Sequence, residues 1–95
     1  MVGLKRVQRQ RVLGAFRRRG WLAVVAPSGG PIDLVCMKGG RTVIVRCVPG
    51  SSATYRDVRP FLEAAWRAGV EPVLAFAVGR RIRLVSASSW SDFVP

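Results

Sequence analysis

Histidine is absent from this 95-residue chain, and with it the commonest general base and transition-metal ligand, so Ser/His/Asp chemistry and a zinc centre are excluded. Acids are nearly as scarce. Five Asp and Glu stand against sixteen Lys and Arg, a formal charge of +11, and unpaired charges cannot be buried, so the excess must lie on the surface. Two cysteines, Cys36 and Cys47, are too few for a disulfide scaffold. No apolar run approaches the roughly 18 residues of a membrane span, and Lys5, Arg6, Arg9 and Arg11 have no apolar signal-peptide core behind them. The expectation is a cytoplasmic protein with no membrane contact.

What the chain does contain is core-forming material. It is 49% hydrophobic with a mean hydropathy of +0.22, which excludes a disordered polybasic tail, and its length suits one domain over residues 1–95. Fourteen of the sixteen cations are Arg, whose planar fork grips phosphate oxygens bidentately. A nucleic acid is therefore the expected partner.

Along the chain, Leu4, Val12, Ala15 and Phe16 fall on one arc of a helix that ends at Gly20, and the first twenty residues carry seven cations and no acid. Leu22–Ala26 reads as a short strand, followed by a loop over Pro27, Ser28, Gly29, Gly30 and Pro31. Ile32–Lys38 and Arg41–Val48 read as a hairpin closed by Gly39-Gly40, whose two-residue link fixes the register: Met37 faces Thr42, Val35 faces Ile44, and Asp33 faces Arg46. The same register sets Cys36 opposite Val43 and Cys47 opposite Ile32, roughly 13 Å apart, so both thiols are expected to be reduced, buried and inert. After a loop at Pro49–Ser52, Val58, Phe61, Leu62, Ala65 and Trp66 mark a second helix, with Asp57 expected as its N-cap so that Pro60 sits in the first turn. Pro72–Val78 reads as a strand buried on both faces and Arg81–Val85 as its neighbour. The resulting order is α-β-β-β-α-β-β, a mixed five-stranded sheet flanked by two helices.

In that order the chain resembles the archaeal Holliday-junction resolvases, small nucleases of the PD-(D/E)xK superfamily with a restriction-endonuclease-like fold. The resemblance is carried by the basic first helix ending in Gly20-Trp21, the strand Ala23-Val24-Val25, the Ser/Gly-rich loop, Ile32-Asp33-Leu34-Val35, the hairpin, and Pro72-Val73-Leu74-Ala75. The family gathers Mg²⁺ with a first-helix carboxylate, an Asp, and the Glu of a Glu-x-Lys strand. Matched residue by residue, Arg9, Arg46 and Val48 stand at the first-helix carboxylate, the Glu and the Lys, leaving only Asp33. The loop at Pro49–Ser52 is also shorter than the family's, and the last strand lacks its frequent Trp. What the resemblance implies is a catalytically inactive, nucleoid-associated protein of DNA recombination or repair. It would bind branched or double-stranded DNA through phosphates, without a cofactor, as a homodimer or as a heteromer with an active resolvase; Trp66, Trp90 and Phe93 are each expected in the chain's own core, with a dimer interface as the alternative place for them. The binding residues expected on this basis are Lys5, Arg6, Arg9, Arg11, Ser28 and Arg46, with Arg6, Arg9 and Arg46 converging on one phosphate path while Arg17–Arg19 and Arg80, Arg81 and Arg83 point elsewhere. Two other readings are an Mg²⁺-dependent endonuclease in which Asp33 is joined by Glu63 or Asp57, and a non-catalytic partner subunit of a repair complex.

Overall fold

The computed structural model describes residues 4–50 and 53–95, residue 4 by its backbone alone. Residues 51 and 52 of the expected Pro49–Ser52 loop, and the side chain of Leu4, therefore lie outside it. The elements are α1 (Leu4–Arg17), β1 (Leu22–Val25), β2 (Leu34–Lys38), β3 (Arg41–Val48), α2 (Tyr55–Ala68), β4 (Glu71–Val78), β5 (Arg81–Ser86) and β6 (Ser91–Asp92). They form one α/β domain around a six-stranded sheet of order β1-β2-β3-β4-β5-β6, in which only β3 and β4 run parallel. The sixth strand was not expected. It is two residues long, too short to carry an alternating pattern, and pairs with Val85 and Ser86.

Each face of the sheet carries one helix. Strand alternation divides β3 and β4 between the two sides: Val43, Val45, Cys47, Val73 and Ala75 join Val12, Leu13 and Phe16 of α1, whereas Ile44, Val48, Leu74 and Phe76 join Val58, Phe61, Leu62 and Ala65 of α2. Phe93 belongs to the α1 side at 8% exposure, in contact with Phe16 and Trp21, the core position expected of it. Trp66 and Trp90, expected in the core, are instead exposed. Among the described residues, no helix is long and apolar enough to cross a membrane.

The hairpin forms with the expected register from Lys38–Arg41 to Leu34–Val45. Gly39 and Gly40 both adopt positive φ, the combination a type I′ turn requires. The ladder stops earlier than expected, however. The Asp33 N–H turns to the Val45 carbonyl at 2.8 Å, so β2 starts at Leu34 and neither Asp33 nor Ile32 has a Cα partner on β3. The start of α2 also differs. Thr54, not Asp57, is the N-cap, with Asp57 at N3 returning its carboxylate to the Thr54 N–H. This capping box satisfies two end donors, while the bond lost at Pro60 falls between two exposed residues, Arg56 and Pro60.

One polar side chain fastens α1 to the sheet. Gln8 is buried, and its amide nitrogen donates to the Val48 carbonyl at 3.0 Å and the Ala75 carbonyl at 2.8 Å, one on β3 and one on β4. Replacing Gln8 by Leu strands two buried acceptors and should cost ~1–3 kcal/mol, read as a lower urea midpoint at unchanged slope.

Candidate functional site

The C-terminal ends of the parallel pair β3–β4 gather most of the chemistry. Because β2 and β5 run antiparallel to them, the segment entering β2, the turn joining β4 to β5, the N-terminal half of α1 and the start of α2 all meet at this end. Ligands of open α/β sheets bind at such strand ends, where the backbone runs out and loops can be shaped freely.

At its centre is Asp33, whose side chain is 5% exposed. Its Oδ2 accepts a 2.7 Å hydrogen bond from the Cys47 N–H, made possible by the departure of Asp33 from the ladder. Three cations surround the same carboxylate: Lys5 Nζ lies 3.4 Å and Arg9 Nη2 3.5 Å from Oδ1, and Arg46 Nη1 lies 3.8 Å from Oδ2. The expected meeting of Asp33 and Arg46 occurs, but at a separation too long for a hydrogen bond, and Arg46 spends a donor on the Gly30 carbonyl at 3.3 Å. Three positive charges thus share one negative charge. The cations are 40%, 21% and 27% exposed in the order Lys5, Arg9, Arg46, so each retains contact with solvent.

The resemblance implies a divalent metal at this point, and the residues do not fit one. Mg²⁺ requires several hard oxygen ligands. Both Asp33 oxygens already face nitrogen donors, and the two positions that should supply further ligands hold Arg9 and Arg46. A divalent ion about 4 Å from one guanidinium meets a repulsion on the order of 8 kcal/mol at an effective dielectric of about 20. Nor do the other acids come to help. Glu63 is paired with Arg59 at 2.8 Å one helical turn away, and Asp57, although it lines a recess with Lys5 and Arg46, gives its carboxylate to Thr54. Those Thr54 bonds hold the Asp57 carboxyl below the usual range. Among the described residues, no three His, Cys, Asp or Glu side chains gather.

The basic residues sort differently from the expectation. Lys5, not Arg6, is the third cation at Asp33; Arg6 stands exposed outside the cluster, and Ser28 lies exposed on the loop that Arg46 touches at Gly30. Arg11 turns the other way, donating to the Arg80 carbonyl at 3.1 Å. Arg80 and Arg81 therefore do not point elsewhere, because the β4–β5 turn brings them to the same end of the sheet, around a recess they share with Lys5 and Arg11. Arg17 does lie away from this end, bonded to the Ala23 carbonyl. Gln8 was missed altogether. Its signal was present, since Leu4, Gln8 and Val12 follow at intervals of four, and an amide on an otherwise apolar arc invites a search for buried acceptors.

Asp33 holds this arrangement together, so Asp33→Ala should cost ~3 kcal/mol by leaving the Cys47 N–H and three cations uncompensated. Arg46→Met should cost less than ~1 kcal/mol, as Lys5 and Arg9 remain to balance the carboxylate. Urea denaturation of the two variants tests the order. The thiols give a second test. Burial pushes both up from 9.0 to about 12, with Asp33 raising Cys47 further and Lys5, Arg9 and Arg46 opposing it. Unfolded thiols ionise first, so this stabilisation is complete below pH 9.0 and is lost as pH rises from there to about 12. At about pH 8, iodoacetamide should label Cys36 and Cys47 slowly in the folded protein and rapidly in urea.

Sequence comparison finds no match among described protein families and none among curated proteins. Among solved structures, the chain matches Hjc, a Holliday junction resolvase from the archaeal hyperthermophile Archaeoglobus fulgidus, at 18% identity with a TM-score of 0.67. The match covers 83% of this chain and 75% of the resolvase chain. At this identity the similarity establishes the fold: the chain has a resolvase-like α/β architecture.

Proposed function

We propose that this chain is a catalytically silent, resolvase-like protein that holds branched or double-stranded DNA through its backbone phosphates. The observation that carries the reading is the three-to-one ratio at Asp33. One carboxylate orients Lys5, Arg9 and Arg46 without neutralising them, and the outer donors of the two more exposed cations, Lys5 and Arg46, are available to phosphate oxygens. The α1 dipole adds to the effect, because the positive end of the helix lies at the same place and its first turn contains no acid. Contacts of this kind position a backbone and carry no base sequence, so shape and charge decide which DNA is bound.

The role supported for Asp33 is to hold its cations rather than to bind a metal, and no cofactor enters the reading. Arg9, the least exposed of the three cations, belongs to the scaffold; Lys5 and Arg46 belong to the phosphate surface, with Arg6, Arg11 and Ser28 around them. A second copy of the chain, or an active resolvase, would supply the other half of a surface able to span a junction, in the setting of DNA recombination or repair at the nucleoid.

Gel shifts of a labelled four-way junction, a duplex and a single strand, at two salt concentrations and with or without Mg²⁺, test this reading. The expected result is salt-dependent binding of junction and duplex with no cleavage. The double variant Lys5→Gln/Arg46→Gln should flatten the plot of log affinity against log salt by about two units. An unaltered slope would remove these residues from the interface, and Mg²⁺-dependent nicking that disappears in Asp33→Asn would overturn catalytic silence.

A further inference from the structure

On the other side of Lys5 lies a recess of about 310 Å³, between α1, the Pro49-Gly50 segment and the β4–β5 turn. Its walls are of two kinds. Val7, Pro49, Ala77 and Ile82 give it apolar surface, and Lys5, Arg11, Arg80 and Arg81 supply positive charge without a single carboxylate among the lining residues. Val7 is 46% exposed, in an otherwise polar stretch of α1 where burial gives no reason for an apolar residue. The basic rim is held in place: the Arg11 guanidinium donates to the Arg80 carbonyl, and Gly79 at positive φ starts the two-residue turn that sets Arg80 and Arg81 beside the recess. Gln8 also lines the recess, but both hydrogens of its amide are committed to the Val48 and Ala75 carbonyls, so it offers no free donor to a ligand.

A paired duplex has no use for such a recess. It presents phosphates and sugars to a protein surface and keeps the faces of its bases stacked, so a continuous duplex could use the rim and would leave the apolar walls wet. The combination fits a ligand with a flat apolar body attached to an anionic group. The volume is at the lower end of small-ligand sites, roughly 300–1,000 Å³. Resting on the phosphate-binding reading above, and extending it, we infer that this recess seats one unpaired nucleotide of a DNA branch point or strand end. The base lies against Val7, Ala77 and Ile82, and its phosphate lies against Arg11 and Arg81. With aliphatic walls and no free side-chain donor from Gln8, the site recognises the unstacked state of the nucleotide rather than the identity of its base.

The test compares a blunt duplex with a duplex bearing a short single-stranded overhang, matched in total phosphates, with 2-aminopurine at the first unpaired position. The overhang should improve affinity by roughly tenfold, the effect of covering about 55 Å² of apolar surface, and protein should change the 2-aminopurine fluorescence. Val7→Ser should abolish most of that advantage while leaving blunt-duplex affinity unchanged; because Val7 is exposed, the variant keeps the core intact. Ile82→Thr should act in the same direction. Equal affinities for the two DNAs, or an advantage that survives in Val7→Ser and Ile82→Thr, would overturn the recess and leave the phosphate reading standing. Failure to bind either DNA would overturn both.

Discussion

A buried carboxylate facing three cations is the constraint on which the functional end of this molecule depends. Without Asp33, Lys5 and Arg9 would set positive charge against positive charge beside Arg46, which weakens the hold of the N-terminal half of α1 on the ends of β3 and β4. Gln8 then completes what charge balance permits, turning the approach of the helix into two directed hydrogen bonds. Charge strengthens the hold of the helix; the amide decides where it lies. The Cys47 N–H fixes the carboxylate itself, so a backbone irregularity at the start of β2 is transmitted to three side chains on two elements.

The remaining acids are taken up by cations away from the Asp33 end or by their own helix. Glu71 pairs with Arg41, Asp92 with Arg83 and Glu63 with Arg59, one acid to one cation, while Asp57 serves its own helix. Arg41 also stacks over Trp21 and Phe93, Arg17 bonds the Ala23 carbonyl, and Lys38 bonds the Arg19 carbonyl. Arg17, Lys38, Arg41, Arg59 and Arg83 are thus engaged within the structure. Around Asp33 and the β4–β5 turn, Lys5, Arg9, Arg11, Arg46, Arg80 and Arg81 gather with one buried carboxylate among them, which concentrates positive charge at that end.

Most of the architecture was legible because it follows from short-range rules. Gly39-Gly40 specified the turn, the turn specified the register, and the register brought Asp33 near Arg46. The thiols were correctly assigned as buried and unpaired for the same reason. What escaped were features in which a local preference met a competing interaction. Thr54 outbid Asp57 as N-cap through a reciprocal pair of bonds, the ladder ended at Leu34 because the Asp33 N–H found Val45, and β6 was too short to show a period. At the site, residue type indicated a basic surface but not its partition. The turn at Gly79 moved Arg80 and Arg81 to the Asp33 end, and the direction of each side chain on α1 separated Lys5 from Arg6 and Arg9 from Arg11. Such directions depend on the tertiary partners a helix finds, which no spacing rule contains.

Phe93 carries a consequence for how the chain reaches this state. Its ring stacks on Phe16 at 5.8 Å and meets Trp21 at 6.2 Å, and its N–H bonds the Leu84 carbonyl, so a residue near one end of the sequence closes the core begun by a helix near the other. During synthesis, α1 can form early, but its aromatic face has no complete counterpart until residue 93 has left the ribosome. Until then, Phe16 and Trp21 lack part of the packing they have in the folded domain. Completion of the core therefore depends on a long-range contact, and contacts of such sequence separation slow folding.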